Sequence, residues 1–445
     1  MRSAGASALR LRITGFDLPK GAALYLYNDA GQAHGPYLGR GPHGSGEFWS
    51  NTVFGDTAWV QLHVAPGFAA RGRLPLAFEI EKISHLGADF QLPALMAADK
   101  ADCSANLDCV ENAECYDWPE LSAARRGVAY LNFEDESNGR TYGCTGGLLN
   151  DKDGSDRTPW LLTAAHCIDS EAEADSLEAF FQFQSDCGSC SGSSVDTVLG
   201  ADLWATGSAS DFSLLELSEL PSSWFLMGWT NATILDNDGE VLYRISHPKG
   251  SPQSVSTHQV EGTGVTGNYI LTENIFGTTE GQSSGSPIIR ANRQVVGQLR
   301  GTTFPNQNLY DLCDSSTFTT RDGALSTYWK SVRPYLASPG NTYKMHVDDV
   351  RASVAPFSAF ELARATVTVV DERGNGIPRV TVAGSFSGDV SGPSLGVTDD
   401  RGQALILYPT PPFGTPSFSF CVTGLSHDYF NTYDSAANAA TCASR

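Results

Sequence analysis

WLLTAAHC, residues 160–167, points most directly to the architecture of the chain. An apolar strand delivers two small residues, Ala164 and Ala165, then His166 and Cys167. Cys167 can anchor the end of that strand, most simply to Cys144. Two further stretches answer it downstream. In ASDFSLLELS, residues 209–218, Asp211 opens a second apolar strand. In EGQSSGSPII, residues 280–289, a Ser-Ser-Gly-Ser-Pro turn precedes a third. A serine hydroxyl is a poor nucleophile until a base takes its proton, and imidazole does this near neutral pH when a buried carboxylate fixes its tautomer. The three stretches supply those groups in the order His, Asp, Ser. A tight Gly-rich turn also lets backbone N–H groups converge on a developing oxyanion. On spacing alone Ser283 competes with Ser284 for the nucleophile's place.

The surroundings of these stretches are all-β. Between residues 125 and 338 short apolar runs such as LEAFFQFQ, EVLYRISHP, NYILTEN and QVVGQLRG alternate with turn signals, without regular helical crossovers. STYWKSVRPYL, residues 326–336, is the helix candidate that closes the region. Before it, ALRLRITGF, AALYLYND, AWVQLHVAPG and LPLAFEIEKI read as strands of an antiparallel sandwich within residues 1–97. His34, His43, His63 and His85 are scattered there as surface or turn residues. After it, residues 342–445 alternate strands with hairpin-like turns at ERGNG and DDRGQ, as in an immunoglobulin-like sandwich. The expected domains are therefore 1–97, 98–338 and 342–445.

Composition limits the function classes. With 41% hydrophobic residues in 445, the chain can build several cores. Fifty acidic against 29 basic residues give a net charge of −21, which disfavours nucleic acid and anionic membrane surfaces as partners. No run of 18 apolar residues suggests a transmembrane helix. Ten cysteines, with no pairs arranged as a zinc site, read as disulfides of an oxidising compartment. Cys103, Cys109 and Cys115 staple a polar segment, and Cys421 and Cys442 would close one loop of their own. The opening MRSAGASALRLRITGF has no apolar core of a secretory signal, which stands against the export that the cysteines suggest. DKDGSD (151–156) and DNDGE (236–240) hint at calcium loops but neither completes the twelve-residue pattern, so no metal is expected.

Residues 100–336 resemble the trypsin-like serine proteases, specifically their bacterial lysyl-endopeptidase-like branch. TAAHC, DFSLLEL and SSGSP match the histidine, aspartate and serine motifs. The resemblance implies two packed six-stranded barrels of chymotrypsin type, here flanked by two sandwich modules. It implies a serine endopeptidase acting as a secreted monomer on polypeptides without a cofactor, with His166 as base, Asp211 as orienter and Ser284, not Ser283, as nucleophile. The oxyanion hole falls on the N–H groups of Gln282 and Ser284, although the position of Gln282 is usually glycine. Gln298, Leu299, Arg300 and Gly301 match the substrate-binding edge strand, with Arg300 where the branch often has His. The pocket position falls on uncharged Thr320, with Asp322, or Asp314 in the same loop, as the nearby acid that could supply a Lys or Arg preference. His247 falls on a His-Pro turn with a structural role. The resemblance pairs Cys103 with Cys313, Cys144 with Cys167, Cys109 with Cys187 or Cys190, and Cys115 with the remaining member of that pair. A catalytically weak binding homologue and an esterase are the alternatives.

Overall fold

The computed structural model describes residues 1–65, 77–87, 106–119, 121–135, 137–151, 157–188, 195–234, 238–303, 311–314, 318–336, 344–357, 360–371, 374, 376–377, 380–399, 402–409, 416–427 and 432–445. Cys103, Cys190, most of DKDGSD, the first part of DNDGE and both expected domain boundaries lie outside these residues. The chain divides into two compact units, one holding most of residues 1–334 and the other holding residues 335–445.

The first unit begins with a two-sheet sandwich. One sheet contains β1 (Ala8–Asp17), β4 (Phe48–Trp49), β5 (Val53–Phe54) and β7 (Ala77–Leu86), and the other β2 (Ala22–Tyr27), β3 (Ala33–Tyr37) and β6 (Trp59–Val64). Alternating apolar residues, Leu9, Leu11 and Ile13 on β1 and Leu24 and Leu26 on β2, fill the space between the sheets. Leu199, from a barrel strand, belongs to the same buried cluster.

A short β8 (Glu111–Asn112) leads to the first barrel. Its strands are β9 (Val128–Asp135), β10 (Arg140–Leu149), β11 (Trp160–Thr163), β12 (Glu178–Phe181), β13 (Asp196–Leu199), β14 (Ala201–Gly207) and β15 (Phe212–Leu217). They form one antiparallel sheet in the order β13-β12-β9-β10-β11-β15-β14. Helix α1 (Glu171–Asp175) starts in a capping box between Ser170 and Glu173. Leu131, Phe133, Leu148, Leu161, Phe181 and Leu215 form an apolar interior.

The second barrel runs through β16 (Val241–Ser246), β17 (Ser254–Thr266), β18 (Tyr269–Phe276), β19 (Pro287–Arg290), β20 (Val295–Thr303) and β21 (Thr319–Ala324). The order β16-β19-β20-β21-β18-β17 closes because β17 also pairs with β16, so this barrel has six strands and no open seam. Helix α2 (Leu325–Leu336) follows it, where the sequence pattern places one. Part of its interior is polar. Arg244, His258, Thr272, Ser286, Thr320 and Asp322 are all buried to within rounding of zero exposure.

The second unit is a separate sandwich of two four-stranded sheets. One contains β22 (Lys344–Phe357), β23 (Phe360–Asp371), β26 (Gln403–Pro409) and β28 (Thr432–Tyr433). The other contains β24 (Thr381–Gly388), β25 (Gly392–Val397), β27 (Phe418–Ser426) and β29 (Cys442–Ser444). Cys421 and Cys442 are bonded, tying β27 to β29. The described residues are thus nearly all-β, a double barrel with a sandwich module on either side of it in the sequence. The second barrel closes with six strands, whereas the first is a seven-stranded half-barrel and not the six-stranded barrel expected.

The cysteines correct one expectation. Cys313 is bonded to Cys109, not to Cys103, and Cys109 is therefore not a partner of Cys187 or Cys190. The geometry is permissive for this pair, with a Cα–Cα distance of 5.6 Å. Cys115 is bonded to Cys187 and Cys144 to Cys167. No helix among the described residues is long and apolar enough to cross a membrane.

Candidate active site

His166 sits in the turn that ends β11. Its neighbour Cys167 is bonded to Cys144 on β10, which pins that turn to the barrel wall. Asp211 stands just before β15, the strand paired with β11. Both oxygens of its carboxylate go to the same residue. Oδ1 accepts from the His166 backbone N–H at 2.9 Å, and Oδ2 lies 2.7 Å from His166 Nδ1. A carboxylate so placed holds the imidazole proton on Nδ1 and leaves Nε2 with its lone pair. The Asp211 side chain is only 4% exposed, whereas that of His166 is 41% exposed, so the imidazole faces solvent over a buried carboxylate.

Asp211 adopts φ 53°, a left-handed conformation that costs a non-glycine residue roughly 1 kcal/mol. Its surroundings hold it there. Gln298 Nε2 donates to the carbonyls of both Ser210 (3.1 Å) and Asp211 (3.0 Å). Gln298 Oε1 accepts from Tyr328 Oη at 2.5 Å, and the Tyr328 ring stacks on Phe212 at 4.1 Å between centroids. Gly323 permits this approach, because a Cβ there would lie 2.0 Å from the Ser210 carbonyl oxygen. Gln298 is fully buried, and its side chain faces the Asp211 loop.

Ser284 is partly exposed on the turn before β19. Ser283 is fully buried with its Oγ unpartnered, which removes it from contact with any substrate. The turn is held on both sides. The Ser284 carbonyl accepts from Thr145 N–H at 2.8 Å, and Gly285 N–H donates to the Leu299 carbonyl at 2.8 Å. Gly285 is at φ 81°, and a Cβ on it would lie 2.2 Å from Thr163 Oγ1 and 2.9 Å from the Ala164 nitrogen. Only glycine fits here, and its Cα packs on the residues that lead into the His166 turn. The serine and histidine turns therefore abut.

Gln282 is at φ 72°, the backbone region that glycine takes freely. Its side chain lies beside Gly143, where a Cβ would meet both Tyr130 Oη and Gln282 Oε1. At the head of the same loop, Glu280 accepts from Lys249 Nζ (2.8 Å) and from the Leu107 N–H (3.1 Å).

Of the other expected substrate contacts, Arg300 is half-exposed, with Nη1 3.8 Å from Asp211 Oδ2. Leu299 is buried, and its N–H donates to the Ser286 carbonyl at 2.9 Å, so the edge strand is bonded to the serine turn. Gly301 is partly exposed next to Arg300. Thr320 and Asp322 are both fully buried. Asp322 Oδ1 accepts from Arg244 Nη2 at 2.7 Å, and Thr320 Oγ1 donates to Asp322 Oδ2 at 3.4 Å. Burial raises the Asp322 pKa while the Arg244 guanidinium opposes that rise. The expectation that Asp322 presents a free acid to a substrate cation is corrected, because Arg244 already matches its charge.

His247 is fully buried beside the serine loop and stacks on Phe183 at 5.5 Å. Burial pulls its pKa down to about 4, against a smaller upward contribution from the bond to the Ser251 carbonyl. It is a neutral structural residue at physiological pH. Sequence reasoning missed Thr145, Arg244 and the inward role of Gln298. Thr145 follows Cys144 directly, and that adjacency was the one available signal.

Residues 98–310 match the family described as "Lysyl endopeptidase, C-terminal domain". The lysyl endopeptidase of Pseudomonas aeruginosa is 29% identical over 312 residues, covering 67% of this chain and 65% of that protein. The chain thus spans about two thirds of the length of that curated relative. A solved structure of Rv3671c from M. tuberculosis H37Rv, in an inactive mutant form, aligns with 50% of this chain and 93% of its own, at 13% identity and a TM-score of 0.33.

Proposed function

The central region is similar to the lysyl endopeptidase branch of the trypsin-like serine proteases, a peptidase family, and we propose from this that the chain is a serine endopeptidase working through Ser284, His166 and Asp211. The observation that carries the reading is the use of both Asp211 oxygens by His166, beside a partly exposed serine on a glycine turn. Ser284 Oγ attacks the peptide carbonyl while His166 Nε2 takes its proton. The N–H groups of Gln282 and Ser284 receive the charge that develops on the carbonyl oxygen. His166 then protonates the leaving amine, and Asp211 stays ionised beneath the imidazolium throughout. Water repeats the sequence on the acyl-enzyme and releases the acid. No cofactor takes part in these steps.

The reading extends to a preference for Lys or Arg before the cleaved bond, of which the name of the 29%-identical relative, a lysyl endopeptidase, supports the Lys part. Since Asp322 is paired with Arg244, that preference would draw on other acids of a chain with net charge −21. The four disulfides among the described residues support a secreted protein, and the reading has it act on polypeptides as a monomer.

A peptide library scanned at the residue before the cleaved bond tests the proposal. Wild type should cut peptides, with Lys or Arg enriched, and Ser284→Ala should not. Cleavage of short acyl esters alone would favour the esterase reading. No turnover of either substrate would favour a binding homologue.

A further inference from the structure

Gln282 poses a problem that the rest of the loop answers. Its N–H is a proposed oxyanion donor, yet it is a non-glycine residue at φ 72°. Left to itself such a residue relaxes toward negative φ, and the flanking peptides rotate with it. Both of those peptides are pinned. The Gly281 carbonyl accepts from the Lys249 N–H at 2.7 Å. Because a trans peptide points its N–H opposite to its C=O, this bond also fixes the direction of the Gln282 N–H. On the other side, the Gln282 carbonyl accepts from Thr145 Oγ1 at 2.9 Å, and Ser283 N–H donates to the Glu280 carbonyl at 3.1 Å.

Thr145 ties these parts together. It is fully buried on β10. Its N–H holds the Ser284 carbonyl, and its hydroxyl holds the Gln282 carbonyl. The same hydroxyl accepts from the His247 N–H at 3.1 Å, at the start of the turn that carries Lys249. Its own carbonyl accepts from Thr163 Oγ1 at 2.9 Å, on the strand that leads to His166. One hydroxyl therefore links the loop of the two oxyanion donors to the turn that fixes the Gly281–Gln282 peptide.

We propose that Thr145 is a positioning residue that holds the Gln282 peptide in its left-handed, oxyanion-competent conformation, in place of the glycine that would adopt it unaided. This rests on the reading of Ser284 as nucleophile. The Thr145 hydroxyl touches no reacting atom and acts only through the Gln282 carbonyl and the His247 N–H.

The test is steady-state kinetics on a fluorogenic peptide taken from the cleaved library, with melting curves alongside. Thr145→Val keeps the shape and removes the hydroxyl. Its kcat should fall on the order of 10²-fold, the effect of losing one oxyanion donor, with KM within about twofold. Thr145→Ser should return kcat to within about threefold of wild type. Adding Gln282→Gly to Thr145→Val should restore kcat at least about tenfold, since glycine reaches φ 72° without the steric penalty that a side chain adds. Should the valine variant not fold, Thr145→Ala with and without Gln282→Gly gives the same comparison. A folded Thr145→Val or Thr145→Ala with wild-type kcat, or no gain from Gln282→Gly, overturns the proposal. Ser284→Ala is run in parallel. Turnover surviving in that variant refutes the nucleophile assignment, independently of the Thr145 comparison.

Discussion

Replacing Arg244 by Met should destabilise the second barrel in a way that depends on pH. Arg244 and Asp322 are both fully buried and meet at 2.7 Å. Without the guanidinium, Asp322 has no cation to face, and breaking such a pair costs about 3–5 kcal/mol. The carboxyl avoids part of that cost by taking up a proton in the folded state. At pH 7 keeping it neutral costs about 4 kcal/mol against an unfolded pKa near 3.9, and at pH 5 only about 1.5 kcal/mol. The folded variant binds a proton that its unfolded chain has lost, so stability falls as pH rises above roughly 4. The Arg244 bonds to the Ser286 carbonyl (3.3 Å) and hydroxyl (3.2 Å) are lost as well, adding about 1 kcal/mol that does not vary with pH. The deficit of Arg244→Met should therefore be about 5 kcal/mol at pH 7 and about 2.5 kcal/mol at pH 5. Urea unfolding at the two pH values measures it. The double variant Arg244→Met with Asp322→Leu should recover most of the loss at pH 7. A deficit below about 1 kcal/mol, or one equal at both pH values, would mean that Arg244 does not neutralise Asp322 in the fold.

Two further outcomes are expected. Gln298→Leu leaves the Ser210 and Asp211 carbonyls and the Tyr328 hydroxyl without their buried partner, costing about 1–3 kcal/mol. It should also lower kcat about tenfold or more through a loosened Asp211, with KM little changed, as read by the same peptide assay. The stability of the wild type should fall as pH drops from about 6.5 to 4. The His247 pKa lies near 4 in the fold, so over that range the unfolded chain takes up a proton that the folded one refuses. The loss reaches about 3 kcal/mol for this residue alone, and His258, pushed down by burial and by Arg244, acts in the same direction. Melting temperatures across the range should fall less steeply in His247→Gln.

The legible part of the sequence was local. The alternation of Leu9, Leu11 and Ile13 placed β1, and TAAHC, DFSLLEL and SSGSP placed the three site turns, because each signal lies within ten residues. What could not be read was carried by contacts distant in sequence. Cys109 reaches Cys313 across 204 residues, and nothing beside Cys103 or Cys109 in the sequence selects between them. Asp322 reads as a free acid until Arg244 appears opposite it across the barrel. Gln298 lies on a strand that resembles a substrate edge, but the pleat turns its side chain inward. The sandwich at the N-terminus reads as a separate module. In the fold, Glu178 of β12 accepts from the Thr52 N–H (3.0 Å) and from Asn51 Nδ2 (3.0 Å), while Arg10 donates to the Ser176 carbonyl at 2.6 Å. These buried polar contacts join the sandwich to the first barrel, and no motif marks them.

The most direct test of the central claim is labelling with a fluorophosphonate followed by peptide mapping of the modified residue. One adduct is expected, on Ser284, and none on the buried Ser283. Labelling should be lost in Ser284→Ala and strongly slowed in His166→Ala. An adduct on Ser283, or labelling that survives Ser284→Ala, would contradict it.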